Sequence, residues 1–315
     1  MIKTSICELL QIEYPVFQGG MAWVADASLA AAVSNAGGLG IIAGMNSNGE
    51  QLRAEIKKCR EMTSKPFGVN VMLMSPFVDE VARTVMEEHV SVVTTGAGNP
   101  AKYMPAWLDA GIRVVPVVAS TGFARLAEKR GACAVVAEGA ESGGHIGKLH
   151  TMALVPQVCD SVKIPVLAAG GIGDGRGIAA AFMLGAQGVQ IGTRFLVAKE
   201  CTISQVYKDK VLKANELDTV VTGTRTGDPV RSLKTPFTRE FEKMELSHEI
   251  PVQELEKFGA GSLRRAAREG DAQNGCFLAG EIAGLVKKEQ TAKDMIEEMF
   301  GEAERLLGGA SKWVK

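Results

Sequence analysis

His145 stands in a run of small residues, Ser142-Gly143-Gly144-His145-Ile146-Gly147, with four glycines between Gly139 and Gly147. An imidazole on so spare a backbone has room for a ligand beside it. There it can donate a proton to a substrate or stabilise an oxyanion. A surface histidine in a mobile loop would do neither, and the glycines favour the chemical reading. Two other segments, Ala169-Gly170-Gly171-Ile172-Gly173-Asp174-Gly175 and Gln190-Ile191-Gly192-Thr193-Arg194, combine bare backbone amides with a helix start behind them. That combination suits a phosphate. A glycine pair can also merely relieve crowding at a turn, but two such loops in succession are a stronger signal. Glu138 ends an apolar run, where a carboxylate must be paired or hydrogen-bonded, and Asn70 is a lone amide in Phe67-Gly68-Val69-Asn70-Val71. Each reads as a ligand contact ahead of a satisfied core residue.

The other histidines are weaker candidates. His89 falls at a helix end before a strand, where a structural role is expected. His150 follows the His145 loop and is placed against a cap, and His248 lies in a charged, solvated stretch. The cations Arg225, Arg231, Lys234, Arg239, Arg264, Arg265 and Arg268 read first as a solvated face, and second as a surface for an acidic protein or a nucleotide phosphate.

These residues need elements to hold them. Short apolar, β-branched runs occur at 16–18, 38–43, 67–73, 90–95, 113–118, 134–138, 165–169 and 188–191, each followed by a turn. Amphipathic helical patterns lie at 27–36, 50–63, 76–88, 123–130 and 177–184. Strands alternating with helices pair in parallel through right-handed crossovers. Eight starts with a period of about 25 residues suit a (β/α)₈ TIM barrel. A doubly wound sheet would announce itself with GxGxxG after the first strand, whereas this chain has Gln18-Gly19-Gly20-Met21-Ala22. In a barrel, the site forms at the carboxyl ends of the strands, with phosphate at strands 7 and 8. Those ends carry Gly20, Met21 and Ala22; Asn70; Thr94 to Asn99; Glu138 to His145; Gly170 and Gly171; and Gly192 and Thr193.

The rhythm stops near residue 200. The reading is therefore a barrel at 1–200, a polar cap over its mouth at 201–275, and C-terminal helices at 276–315. Helical patterning returns at 277–288 and 291–307, the latter with Thr291 and Asp294 as a capping pair.

The 315 residues are 46% hydrophobic and carry a net charge of −1, so nothing in the balance calls for nucleic acid or an anionic membrane. No run of 18 apolar residues and no signal peptide core is present. Six scattered cysteines, without CxxC or metal-ligand spacing, read as reduced thiols of a cytoplasmic protein with no bound metal.

Seven segments together are specific: QGGMAWVA at 18–25, GGLGIIA at 37–43, PFGVN at 66–70, TTGAGNP at 94–100, AEGAESGGHIG at 137–147, AAGGI at 168–172 and QIGTRF at 190–195. In these the chain resembles the flavin-dependent type II enoyl-acyl-carrier-protein reductases, which share an FMN-barrel superfamily with the nitronate monooxygenases. The likeness runs in register to residue 200 and more loosely through GAGSLRRA at 259–266; residues 200–258 match poorly.

The resemblance implies FMN, a reduced nicotinamide donor (NADH or NADPH), and reduction of the trans-2 double bond of an enoyl-acyl carrier protein in fatty acid synthesis. His145 takes the family's catalytic position. Gly20, Met21 and Ala22 lie against the isoalloxazine and Asn70 and Glu138 bind flavin. Gly170, Gly171, Gly192 and Thr193 take the phosphate, with Gly144, Ala169 and Gln190 completing the cofactor set. A homodimer and a response to a monovalent cation are also implied. The competing expectation is a nitronate monooxygenase using dioxygen, against which TTGAGNP and the AWVA continuation weigh. A flavin-binding protein without turnover is the third.

Overall fold

The computed structural model describes residues 2–313 apart from 46 and 248, so the expectation for His248 lies outside the described residues. Barrel strands β1 (Val16–Gln18), β2 (Gly40–Ala43), β3 (Phe67–Met72), β4 (Val92–Gly96), β5 (Arg113–Val118) and β6 (Val135–Glu138) come first. A two-residue strand, β7 (Gly144–His145), then interrupts the series before β8 (Val166–Ala169) and β9 (Gly188–Ile191) complete it. The eight barrel strands are all parallel, in the order β1-β9-β8-β6-β5-β4-β3-β2. The ring closes where Phe17 bridges Leu39, with Gln18 N–H donating to Leu39 O at 3.0 Å and Leu39 N–H to Val16 O at 2.8 Å.

The period-2 alternation of these strands builds two cores. Phe17, Leu39, Ile41, Val92, Val115, Val136 and Leu167 point inward and fill the barrel. Their neighbours Val16, Ile42, Val69, Val93, Val114, Val135, Ala168 and Val189 point outward against the helices. Helix α1 (Ser5–Leu10) plugs the amino end of the barrel with Ile6 and Leu10, both at most 1% exposed. Each fully buried aliphatic side chain contributes about 1.5–3 kcal/mol.

The outer layer holds α2 (Ala27–Asn35), α3 (Gly49–Met62), α4 (Val78–Glu87), α5 (Met104–Asp109), α6 (Thr121–Lys129), α7 (Thr151–Ser161) and α8 (Gly175–Met183). Their starts are capped by short polar side chains: Asp26 for α2, Asn48 in a reciprocal box with Gln51 for α3, Ser120 for α6 and Asp174 for α8. After β9 the chain forms α9 (Gln205–Lys213), the strands β10 (Thr219–Thr222) and β11 (Val230–Leu233), α10 (Pro236–Leu246), α11 (Val252–Gly259), the single turn α12 (Ser262–Arg264) and the long α13 (Ala292–Gly308). Helix α13 packs on α8 and α2, and Thr291 Oγ1 accepts from Asp294 N–H at its start.

Two expectations need correction. Residues 277–288 do not form a helix: 277–280 run extended and only Glu281–Leu285 make a 3₁₀ turn. Their backbone groups are claimed from outside. Leu233 N–H donates to Phe277 O, Tyr207 Oη–H to Leu278 O at 2.6 Å, and Glu281 N–H to Glu141 O at 3.0 Å. The His145 loop is also no free loop, because β7 is the edge of a three-stranded sheet β10-β11-β7. Among the described residues, no helix is long and apolar enough to cross a membrane.

Candidate active site

The inward phase of each strand places the polar residues of the barrel mouth. Val69 and Val71 face the helices, so Asn70 between them faces the axis; Val135 and Ala137 do the same for Val136 and Glu138, and Val189 and Ile191 for Gln190. Register then sets neighbours: Asn70 pairs with Thr94, Glu138 with Ala169, and Ala169 with Gln190. Asn70 Oδ1 accepts from Thr94 Oγ1 at 2.9 Å, which fixes the amide.

Above this ring opens a cavity with about 1270 Å³ of atom-free space, counted out to its mouth. Every cofactor residue expected from the sequence lines it, from Gly20, Met21 and Ala22 through Asn70, Glu138, Gly144, Ala169, Gly170 and Gly171 to Gln190, Gly192 and Thr193, and so does His145. The structure thus gathers residues spread over 174 positions into one wall (193 less 20, with both ends counted).

The cradle fits an anionic, planar cofactor. A Cβ on Gly20 would stand 2.2 Å from Asn70 Cβ, so only glycine lets the β1 loop approach the β3 amide. Gly170 has φ +86°, and a Cβ there would meet Gly139 O at 2.7 Å. Neither Gly171 nor Gly192 finds an acceptor for its amide among the described residues. Helix α8 starts just beyond the first of these loops. Both amides lie in the loops after β8 and β9, ahead of α8, whose own first amides are taken by Glu302 and Asp174, and bare loop amides of this kind suit a phosphate. Thr193 contributes less freely than expected, since its Oγ1 accepts from Gly280 N–H at 2.9 Å; its hydroxyl proton remains to donate.

His145 pairs with Val230 and Gly144 with Arg231 across β7 and β11, and Ile146 N–H donates to Pro229 O at 3.0 Å. The ring of His145 opens toward the cavity, yet the surrounding walls exclude enough water to hold its pKa below the ordinary value, with Asp228 opposing weakly. The imidazole is therefore neutral at pH 7. Glu138 shows the converse: loss of water pushes its carboxyl up to about 7. The buried hydroxyl of Ser142 lies beside it but has no hydrogen-bond partner of normal geometry among the described residues, so it offsets little. Glu138 itself is half-buried and makes no hydrogen bond to the described residues.

Sequence reasoning missed Glu141 and the strap at 278–282. Glu141 accepts from Thr151 N–H at 3.0 Å and Thr151 Oγ1–H at 2.9 Å, capping α7 while lining the cavity. Leu278, Gly280 and Ile282 close one side of the cavity, and Leu263 and Tyr207 sit beside them. A carboxylate three residues past the end of a strand carries no motif, and strap residues resemble ordinary core positions. The other described histidines do not line the cavity: His89 is exposed with φ 46° after α4, and His150, exposed, stands with Nδ1 3.8 Å from Glu141 Oε2.

The cap cations mostly have structural partners. Arg225 donates to the carbonyls of Glu245, Ser247 and Ile250 at the end of α10. Arg231, 9% exposed, donates to Ala140 O at 3.1 Å and Thr219 Oγ1 at 3.2 Å and pairs with Glu281 at 3.0 Å. It thereby ties the His145 loop to the strap. Arg264 pairs with Glu269 and lies 5.9 Å from the Trp23 ring; Arg265 and Arg268 donate to Asn274 O and Thr202 Oγ1. Lys234 and Arg239 are exposed.

Comparison with known proteins finds relatives along the whole chain. Residues 3–84 and 72–302 match the family described as nitronate monooxygenase. The chain is 48% identical to FabK from Thermotoga maritima, with a TM-score of 0.97 and full coverage of both chains. It is 32% identical to the Mycobacterium tuberculosis (3aS,4S,5R,7aS)-5-hydroxy-7a-methyl-1-oxo-octahydro-1H-indene-4-carboxyl-CoA dehydrogenase, over 100% of this chain and 99% of that one. To a probable nitronate monooxygenase of Staphylococcus aureus it is 34% identical, over 84% of this chain and 87% of that one.

Proposed function

The chain belongs to the nitronate monooxygenase family of flavin oxidoreductases, and from that premise we propose that it is an FMN-dependent enoyl-acyl-carrier-protein reductase using NADH or NADPH. The observation that carries this reading is the 48% identity with FabK, an enoyl-acyl-carrier-protein reductase II, over the whole of both chains. The segments TTGAGNP at 94–100 and QGGMAWVA at 18–25 point the same way.

In this reading bound FMN would supply the hydride chemistry that links the nicotinamide to the β-carbon of the enoyl thioester. Asn70, held by Thr94, and the bare Gly19-Gly20 backbone position the ring, and the amides of Gly171 and Gly192 hold the phosphate. As charge builds on the thioester oxygen, a donor must stand against it. His145 is neutral and fixed on a sheet edge, so its N–H serves as that donor without a prior loss of proton. Glu138, with a pKa of about 7, supplies a second exchangeable proton at the same wall.

The test is anaerobic: NADH or NADPH is added to the yellow protein, followed by crotonyl thioester. Bleaching and then recovery of the flavin absorbance is expected. His145→Ala should keep its FMN and its bleaching by nucleotide but lose about 10²–10⁴-fold in enoyl reduction. Unchanged turnover in that variant would remove His145 from the mechanism.

The second reading, nitronate oxidation with dioxygen, is favoured by the family description and the staphylococcal relative. It predicts no rapid bleaching by either nucleotide and oxygen uptake only with nitronates.

A further inference from the structure

A second cavity, with about 920 Å³ of atom-free space counted out to its mouth, lies beside the first and opens to solvent between β4, β5 and α6. The two share Ala97, Val117, Glu138 and His145, so they meet at the catalytic wall. The gap has a cause in the chain. Helix α5 has only six residues, hence a length of about 9 Å. The link before it turns sharply through positive φ at Ala97 (54°) and Gly98 (142°). A largely apolar pocket of this size beside a reactive wall is the kind of place a ligand occupies.

Resting on the reductase reading, we infer that this cavity is the subsite for the acyl chain of the enoyl thioester, and that α6 sets how long a chain the enzyme accepts. The lining decides between the two ends of such a substrate. Met104, Pro116, Val118 and Ala127 offer no hydrogen bond from their side chains, and the Asn99 Oδ1 already accepts from Ala101 N–H at 3.0 Å, which leaves few polar groups for a ligand's amides. A pantetheine arm would leave its amides unpaired there, at a cost; an alkyl chain would not. Leu126 is half-buried and Phe123 is 54% exposed, so the two form the outer end of the slot, where a chain would emerge past the exposed stem of Arg130. The carrier arm then leaves by the mouth of the first cavity.

The experiment compares trans-2-octenoyl-CoA with crotonyl-CoA in the FMN-loaded protein, in Leu126→Trp and in Phe123→Ala. Each methylene removed from water is worth about fourfold in kcat/KM. Leu126→Trp should therefore lose about tenfold or more with octenoyl-CoA and stay within about twofold with crotonyl-CoA. Phe123→Ala, a surface change that leaves folding intact, should raise KM for octenoyl-CoA about three- to fivefold without moving crotonyl-CoA. Equal losses on both substrates, or an octenoyl rate untouched by either variant, overturn the subsite while leaving the reductase standing. Absence of reduction of both thioesters by the unaltered protein removes the reductase reading and the subsite together.

Discussion

Replacement of Glu138 by glutamine tests the electrostatics of the barrel mouth directly. The carboxyl titrates near 7 in the folded protein against 4.5 for a free glutamate, because the pocket withholds water from its charged form. That interval of about 2.5 pH units corresponds to about 3.4 kcal/mol. The side chain is only half-buried and faces a cavity that admits water, so about 1–2 kcal/mol is the expected net effect. The sign follows from which state holds the proton. Below pH 4.5 the residue is protonated folded or unfolded and costs nothing. Between 4.5 and 7 the unfolded chain ionises first, so stability falls as pH rises, and above 7 the full penalty is present. Glu138→Gln should thus equal the parent protein near pH 4.5 and be more stable at pH 8, by about 2–3 °C in Tm for a chain of this size. The assay is thermal unfolding of FMN-stripped protein in steps across that range. Parallel curves for parent and variant, or a parent more stable at pH 8, would refute a desolvated carboxyl at this position.

Two further outcomes concern the cofactor cradle and the histidine loop. Gly20→Ala should fold but lose about tenfold or more in FMN affinity, since its methyl would displace Asn70, whereas Gly170→Ala should also lose about 1–3 kcal/mol of stability from its left-handed backbone; flavin retention on desalting and denaturant titration separate the two. Arg231→Ala removes the bond to Ala140 O and the Glu281 pair that tie the His145 loop to the strap, so kcat should fall about tenfold with KM little changed, and stability by about 2–4 kcal/mol; Arg231→Lys should not restore kcat, lacking the fork that reaches both partners.

Much of this site could be read from the chain because its physical causes are local. A strand's inward phase repeats every second residue, so Asn70, Glu138 and Gln190 are placed at the barrel mouth once their apolar neighbours are placed outside. Bare loop backbone is likewise written in Gly170-Gly171 and Gly192. Eight strands of a steady period leave few closed arrangements, and all eight runs marked from the sequence are barrel strands.

What the sequence withheld depends on contacts between distant segments. The segment 277–281 has a helical pattern of side chains, but Leu233, Tyr207 and Glu141 engage its backbone groups in bonds a helix would need for itself. His145 owes its fixed position to β11, which lies 85 residues further along (230 less 145) and pairs with it through Val230. The shifted pKa of Glu138 and the lowered pKa of His145 come from how many walls surround each group, a property of the assembled cavity. Local periodicity determined the barrel and the ring of polar strand ends. Tertiary packing alone decided how the histidine is held, which proton each group keeps and where the second cavity opens, because burial is set by neighbours the chain order does not reveal.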